Sequence, residues 1–351
     1  MARRPARKGG VPGRKGGHLP AGKLPTALLD RLLKKYSVTD PSVVVGPAIG
    51  IDAAIIDFPG EFLAAKSDPI TFVAEDIGYY AVHVNANDIA VMGGTPRWFL
   101  ATVLLPEGKA TARMAESVFS QLKKACKDAG LSLSGGHTEI TGGIDRPMLV
   151  GHALGTVPRE RVITAGGARP EDDVILTKGV AIEAASIIAR TLGEDLRKAF
   201  SPSFIKRCRD YIRRPGLSVV KDARAALSAG RVNAMHDPTE GGLVAGLHEL
   251  SIASGVRIAV ERDLIPILPE SRALSEYFRI DPLGSISSGA LLLAAPQEDS
   301  ISIKKALAFE GIASAIIGRV EGRGRGVRII ENGKSRTLRP FDRDEIAKIL
   351  L

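Results

Sequence analysis

The chain has 351 residues, 44% of them hydrophobic and 25% charged, which is long enough to bury more than one core and favours two domains. Only 5% are aromatic, against the exposed stacking rings that a binder of single-stranded nucleic acid needs. No apolar run approaches the roughly 20 residues of a membrane-crossing helix, and no secretory-type apolar segment opens the chain. Cys126 and Cys208 form no metal-type pair, and the whole reads as a cytoplasmic protein without a membrane role.

The net charge of +9 belongs mostly to one end. Arg3, Arg4, Arg7, Lys8, Arg14, Lys15 and Lys23 all precede the first acidic residue, Asp30. Residues 1–24 therefore read as a disordered basic tail, a solvated extension capable of weak contact with polyanions. Pro25 to Tyr36 follows as a short amphipathic helix with Leu28, Leu29, Leu32 and Leu33 inward.

Val43 to Val45, Ala53 to Phe58 and Phe62 to Lys66 read as short strands split by Gly and Pro. Asp76 to Gly94 reads as a buried helix in which Ile77, Ala81, Val84, Asp88 and Val91 share a face, so the Asp88 carboxylate points inward with apolar side chains. Burying an ionised carboxylate costs several kcal/mol unless a partner or a cation answers it. A strand at Trp98 to Leu105, a helix at Ala110 to Ala129, and strands at Leu131 to Ser134 and Met148 to Val157 complete an N-terminal unit spanning 25–158. Pro158 to Asp173, rich in Gly, Pro and charge, has the composition of a domain joint.

A second unit, 170–340, opens with the strand Val174 to Thr177. Helices are expected near Ala181 to Leu192, Pro202 to Arg213, Leu217 to Ala229 and Gly242 to Ser254, and strands at Arg257 to Val260, Ala290 to Ala294, Ala315 to Val320 and Val327 to Ile330. The fold class is α/β of a mixed α+β kind, in two layered domains.

Four spots stand where a strand ends or a helix begins. Asp52 precedes one apolar strand and Asp68 lies just beyond the next. Gly135-Gly136-His137-Thr138-Glu139 reads as a tight turn whose backbone N–H groups approach an anion, and His236-Asp237-Pro238-Thr239-Glu240-Gly241-Gly242 opens a helix. Asp52, Asp68 and Asp88 together make a magnesium site, since Mg²⁺ takes a few carboxylates plus substrate phosphates. Singly, each Asp reads as readily as a turn or capping residue. Lys66 and Lys178 lie where either can meet phosphate, although a solvated lysine is the ordinary reading of each. Zinc held by His137, Glu139, His236 and Asp237 is a weak alternative without cysteine ligands or helical His spacing. Gly333-Lys334-Ser335 lacks the first glycine of a phosphate loop, and no Gly-x-Gly-x-x-Gly follows a strand.

In order and spacing these pieces resemble the family that includes aminoimidazole ribonucleotide synthetase, selenophosphate synthetase, thiamine monophosphate kinase and the hydrogenase maturation factor HypE. The resemblance runs from about Val43 to Val320. It is carried by Asp52-Ala53-Ala54, Ser67-Asp68, Asp76-Ile77-Gly78, Asn87-Asp88-Ile89-Ala90, Gly135-Gly136-His137-Thr138 and Asp237-Pro238-Thr239-Glu240-Gly241-Gly242, with His248-Glu249 pointing toward HypE. It implies a homodimer formed through the N-terminal sheet, with ATP and Mg²⁺ bound in a cleft at that interface. It also implies transfer of the γ-phosphate to an amide-like or carbamoyl oxygen, on a small molecule or a carbamoyl-carrying partner protein. Asp52, Asp68 and Asp88 are then expected to hold metal, with Lys66 and His137 joining Asp88 in catalysis. Asn87, Gly135, Gly136, Thr138, Asp237, Gly241 and Gly242 are expected to bind the cofactor. A non-catalytic maturation scaffold and a small-molecule kinase are the rival readings. One departure stands out: HypE ends on a carbamoyl-carrying cysteine, whereas this sequence ends Ile346-Ala347-Lys348-Ile349-Leu350-Leu351, and Cys126 and Cys208 fall in helical patterns.

Overall fold

The structure, a computed structural model, describes residues 23–37 and 40–350. The expected basic tail falls almost wholly outside them. The N-terminal half runs α1 (Thr26–Tyr36), β1 (Val43–Val45), β2 (Ala54–Phe58), β3 (Glu61–Ile70), α2 (Ile77–Val91), β4 (Thr95–Pro106), α3 (Ala112–Ala129), β5 (Ser132–Thr141) and β6 (Met148–Val157). Its strands form one sheet in the order β1-β2-β3-β6-β4-β5, antiparallel except for β4 and β5.

The C-terminal half runs β7 (Asp173–Thr177), α4 (Ile182–Thr191), α5 (Gly193–Leu196), α6 (Pro202–Asp210), α7 (Val220–Ala229), β8 (Ala234–His236), α8 (Gly242–Ser254), β9 (Val256–Glu261), α9 (Pro269–Phe278), β10 (Leu292–Ala295), α10 (Gln297–Phe309), β11 (Ser314–Arg323), β12 (Gly326–Glu331), β13 (Lys334–Thr337) and α11 (Ala347–Leu350). The sheet order is β13-β12-β9-β11-β7-β10-β8. Both faces of its centre are covered, which explains the unbroken apolar run of β7. Val174 and Leu176 pack with Leu243 and Leu247 of α8, whereas Ile175, on the opposite face, packs with Ala226 of α7 and Ile303 of α10.

The two halves share a core. Ile77, Tyr80 and Val84 of α2 join Ile182 and Ile187 of α4 and Ile205 of α6 in one apolar cluster. At the start of α2 the Asp76 carboxylate accepts hydrogen bonds from Arg190 at 2.6 Å and Arg213 at 3.2 Å. With β3 and β6 on one side, α3 on another and α7 on a third, α2 is buried all round rather than along one stripe.

Four expectations change. The apolar face of α1 is half-buried, with no fully buried residue. The stretch from Pro158 to Asp173 is no loose joint: Ala165 and Ala168 are buried, and a Cβ on Gly167 would lie 1.9 Å from the Asn233 carbonyl oxygen. Its glycine serves close backbone approach, not flexibility. Asp68 lies inside β3, and the predicted glycine turn lies inside β5. The elements β8, α9 and α10 were not expected from the sequence. Among the described residues no helix is long and apolar enough to cross a membrane.

Candidate active site

Strand β3 places Lys66 and Asp68 two residues apart, hence on one face. Lys66 Nζ lies 3.3 Å from Asp68 Oδ2 and 3.4 Å from Asp88 Oδ1 of α2. Beyond Ala65, β3 has outrun its neighbour β2. The Asn85 amide meets the Asp68 backbone beside Gly151 of β6: its Oδ1 accepts from the Asp68 N–H at 2.8 Å, and its Nδ2 donates to the Asp68 carbonyl at 3.3 Å. Asn85 thereby fixes the backbone that carries Asp68. The space it needs is left by Gly151, where a Cβ would sit 2.3 Å from Asn85 Nδ2.

The C-terminal half completes the cluster. His236 ends β8, with Nδ1 2.8 Å from Asp52 Oδ1 and Nε2 2.7 Å from Glu249 Oε2 of α8. The Nδ1 contact is close but off the direction of the ring N–H, so it is an ionic contact and not a hydrogen bond. One ligand atom each from Asp52, His236 and Asp237 lies within 4.8 Å of the other two. Asp237 is 1% exposed, and neither of its oxygens has a hydrogen-bond partner among the described residues. Asp52 Oδ2 and Asp88 Oδ2 are buried in the same condition.

The electrostatics follow from an excess of acid. Burial pushes the Asp88 carboxyl well above the usual range; Lys66 pulls it back, while Asp237, Asp68 and Asp52 push it further up. Burial likewise drives Asp237 up to about 8, with Asp52 adding repulsion against the pull of His236 and Lys66. Burial weighs against the charge on Lys66, but Asp88, Asp68, Asp52 and Asp237 outweigh it and hold the ammonium ionised. Four carboxylates converge on one lysine. Acids outnumber cations in the cluster, and its orphaned oxygens are hard donors that suit a divalent cation.

Several predicted residues lie elsewhere. The Asn87 amide is taken: its Nδ2 donates to the Leu217 carbonyl at 2.8 Å and its Oδ1 accepts from the Val219 N–H at 2.8 Å, so it clamps the two halves together instead of assisting a cofactor. Gly135, Gly136, His137 and Thr138 form no anion-binding turn. They lie in the exposed edge strand β5, three strand spacings or about 14 Å across the sheet from β3. A Cβ on Gly136 would stand 1.9 Å from the Ala101 carbonyl oxygen, so that glycine serves strand pairing. His137 pairs with Glu139 at 3.2 Å on the same edge, which also separates it from His236 and removes the zinc alternative. Gly241 at the start of α8 donates its N–H to Asp344 Oδ2 at 2.7 Å, and Gly242 is wedged against the Leu283 and Ser285 carbonyls. Lys178 is buried against Asp222 at 3.1 Å and is not available to phosphate. Asn85, the orienting role of Glu249 and the Asp344 contact escaped sequence reasoning, because each depends on a partner 13 to 103 residues away.

Each of the two α/β halves that supply the cluster matches a family model. The model for the N-terminal domain of AIR synthase related protein covers residues 50–157, and that for its C-terminal domain covers residues 169–331. The chain belongs to the AIR synthase related family. A putative hydrogenase expression/formation protein of Methanocaldococcus jannaschii is 26% identical over 290 residues, covering 81% of this chain and 83% of that one. Carbamoyl dehydratase HypE of Rhodobacter capsulatus is 28% identical over 292 residues, covering 81% and 82%. The crystal structure of hydrogenase maturation protein HypE in complex with ATP superposes with a TM-score of 0.70 at 22% identity, over 90% of this chain and 95% of that one, a likeness of fold. The expected two-domain architecture of this family is therefore present.

Proposed function

We propose that this chain is an ATP- and Mg²⁺-dependent enzyme of hydrogenase maturation, which phosphorylates the oxygen of a carbamoyl or amide-like group so that the oxygen can leave as phosphate. The observation that carries the reading is the cluster of Asp52, Asp68, Asp88 and Asp237 around Lys66, with buried carboxylate oxygens left without partners among the described residues. Asp52, Asp68, Asp88 and Asp237 are the residues that would hold divalent cations, Mg²⁺ among them, which when bound neutralise the charge of the transferring phosphoryl group. Lys66 supplies a fixed ammonium beside the transferred phosphate, and Asn85 keeps Asp68 and its strand in place. Phosphoryl transfer asks the protein mainly for positioning and charge neutralisation, which fits a site of acids and one lysine. The names of the hydrogenase-related relatives support the acceptor class.

Cys126 and Cys208 are buried, and burial raises their thiols to about 11 and about 12. Neither presents a thiolate to carry the acceptor, so the carbamoyl group belongs to a separate protein or small molecule in this reading. The long exposed edge of β5, with Leu133 and Ile140 in the open, supports a homodimer built on the N-terminal sheet. Such pairing would bring His137 and the Gly135 to Thr138 segment of one subunit toward the other. The test is ADP release from ATP in the presence of carbamoyl, amide and simple alcohol acceptors. Stimulation by carbamoyl or amide compounds is expected; stimulation by alcohols alone would make the protein a small-molecule kinase instead.

A further inference from the structure

The His236 side of the cluster differs in chemistry from the rest. Asp68 and Asp88, beside the Lys66 ammonium, offer a metal oxygen donors alone, whereas Asp52, His236 and Asp237 add an imidazole nitrogen. His236 is held as a metal-ligating histidine is held elsewhere in proteins: its Nε2 lies 2.7 Å from the Glu249 carboxylate and its Nδ1 2.8 Å from Asp52 Oδ1, with an Asp237 oxygen within 4.8 Å of a ligand atom of each of His236 and Asp52. Glu249 is itself steadied by Lys23 Nζ at 3.4 Å.

An imidazolium at His236 would answer Asp52 and Glu249. It would still leave Asp237, 1% exposed, with both oxygens unpartnered among the described residues. A cation seated between the three side chains satisfies all of them. The distances permit it: His236 Nδ1 and Asp52 Oδ1 are 2.8 Å apart, and two atoms so spaced, each about 2.1 Å from an ion, subtend about 84° at it, close to the angle between neighbouring ligands of an octahedron.

We propose that Asp52, His236 and Asp237 form a distinct divalent-metal site, oriented by Glu249, that takes a first-row transition ion such as Mn²⁺ in preference to Mg²⁺. Nitrogen donors suit such ions, whereas Mg²⁺ takes oxygen and keeps its waters. The proposal rests on the reading of the cluster as a cation site and adds to it the identity of one ion. Asp88 and Lys66 remain with the oxygen-only side.

The experiment uses the full chain, stripped by chelation and titrated with Mn²⁺ without nucleotide, then with Mg²⁺ as competitor. Pulsed electron paramagnetic resonance reads whether nitrogen is bonded to the Mn²⁺. The site predicts a bound Mn²⁺ with a directly coordinated nitrogen, displaced only by a more than ten-fold excess of Mg²⁺. His236→Gln removes the nitrogen coupling, which assigns it to this imidazole and not to exposed His137. Glu249→Gln keeps the coupling but weakens Mn²⁺ binding by on the order of 10–100-fold. Should His236→Gln fail to fold, the wild-type coupling and the Glu249→Gln shift decide the matter. Mn²⁺ without nitrogen coupling, or Mg²⁺ competing on equal terms, overturns the proposal. If Mg²⁺-dependent ATP binding persists in that case, the functional reading survives; if it is also absent, both fail.

Discussion

Helices α2 and α3 lie side by side against the same sheet and follow opposite rules. In α3 the buried residues are Val118, Leu122, Ala125 and Cys126, a single stripe at helical spacing, and the charged side chains face water. In α2 every face is buried, so each polar side chain carries a cost unless it is answered individually. Asn85 is answered by the Asp68 backbone, Asn87 by Leu217 and Val219, and Asp88 by Lys66. Successive side chains around the helix thus address the strand that carries the site, the opposite domain and the site itself. A helix whose pattern fails as amphipathic structure is the one that organises function.

The contrast can be broken first at Asn87. Asn87→Ala leaves the Leu217 carbonyl and the Val219 N–H buried without a partner, at about 1–3 kcal/mol each. A loss of about 2–4 kcal/mol in urea unfolding is expected, whereas Lys123→Ala on the exposed face of α3 stays within about 0.5 kcal/mol. Equal effects at the two positions would erase the distinction between the helices.

A smaller effect sharpens the same point at His83. Its ring is buried in α2 with neither nitrogen hydrogen-bonded among the described residues, and burial lowers it to about 4. The folded state therefore prefers the neutral ring. Its share of stability is fully present above the unfolded value near 6.5 and is lost as pH falls through about 4, up to about 3 kcal/mol. His83→Phe should flatten the decline in stability between pH 6.5 and pH 4. An unchanged slope would show that the wild-type ring is not desolvated.

Periodicity made α3 legible in the sequence, whereas α8 is apolar nearly all round and still keeps the expected bounds of Gly242 to Ser254. Strand β3 is longer than its pattern suggested because Lys66-Ser67-Asp68-Pro69 looks like a turn. Pro69 is tolerated there because β2 has already ended, leaving β3 an edge without a ladder on that side. The three-residue β8 is too short to carry a pattern at all. In the site, Asp52, Lys66, Asp68, Asp88 and Asp237 could be named from residue type and position. Asn87 was legible as an uncommon buried polar residue but not for its clamping role, since Leu217 and Val219 are 130 and 132 residues away. The glycines at 135 and 136 show the limit of motif reading: the same dipeptide that makes a tight turn also lets two strands approach closely.

The claim at the centre is that the acidic cluster answers its missing charge with Mg²⁺ and the phosphates of ATP. Isothermal titration of ATP into wild type and Asp88→Asn, each with and without Mg²⁺, tests it directly. Asp88→Asn removes a carboxylate whose ionised form burial disfavours, so folding stability should hold or rise by about 1 kcal/mol. ATP binding should require Mg²⁺ in the wild type and weaken at least ten-fold in the variant. ATP bound equally well without Mg²⁺, or equally well by Asp88→Asn, would contradict the account.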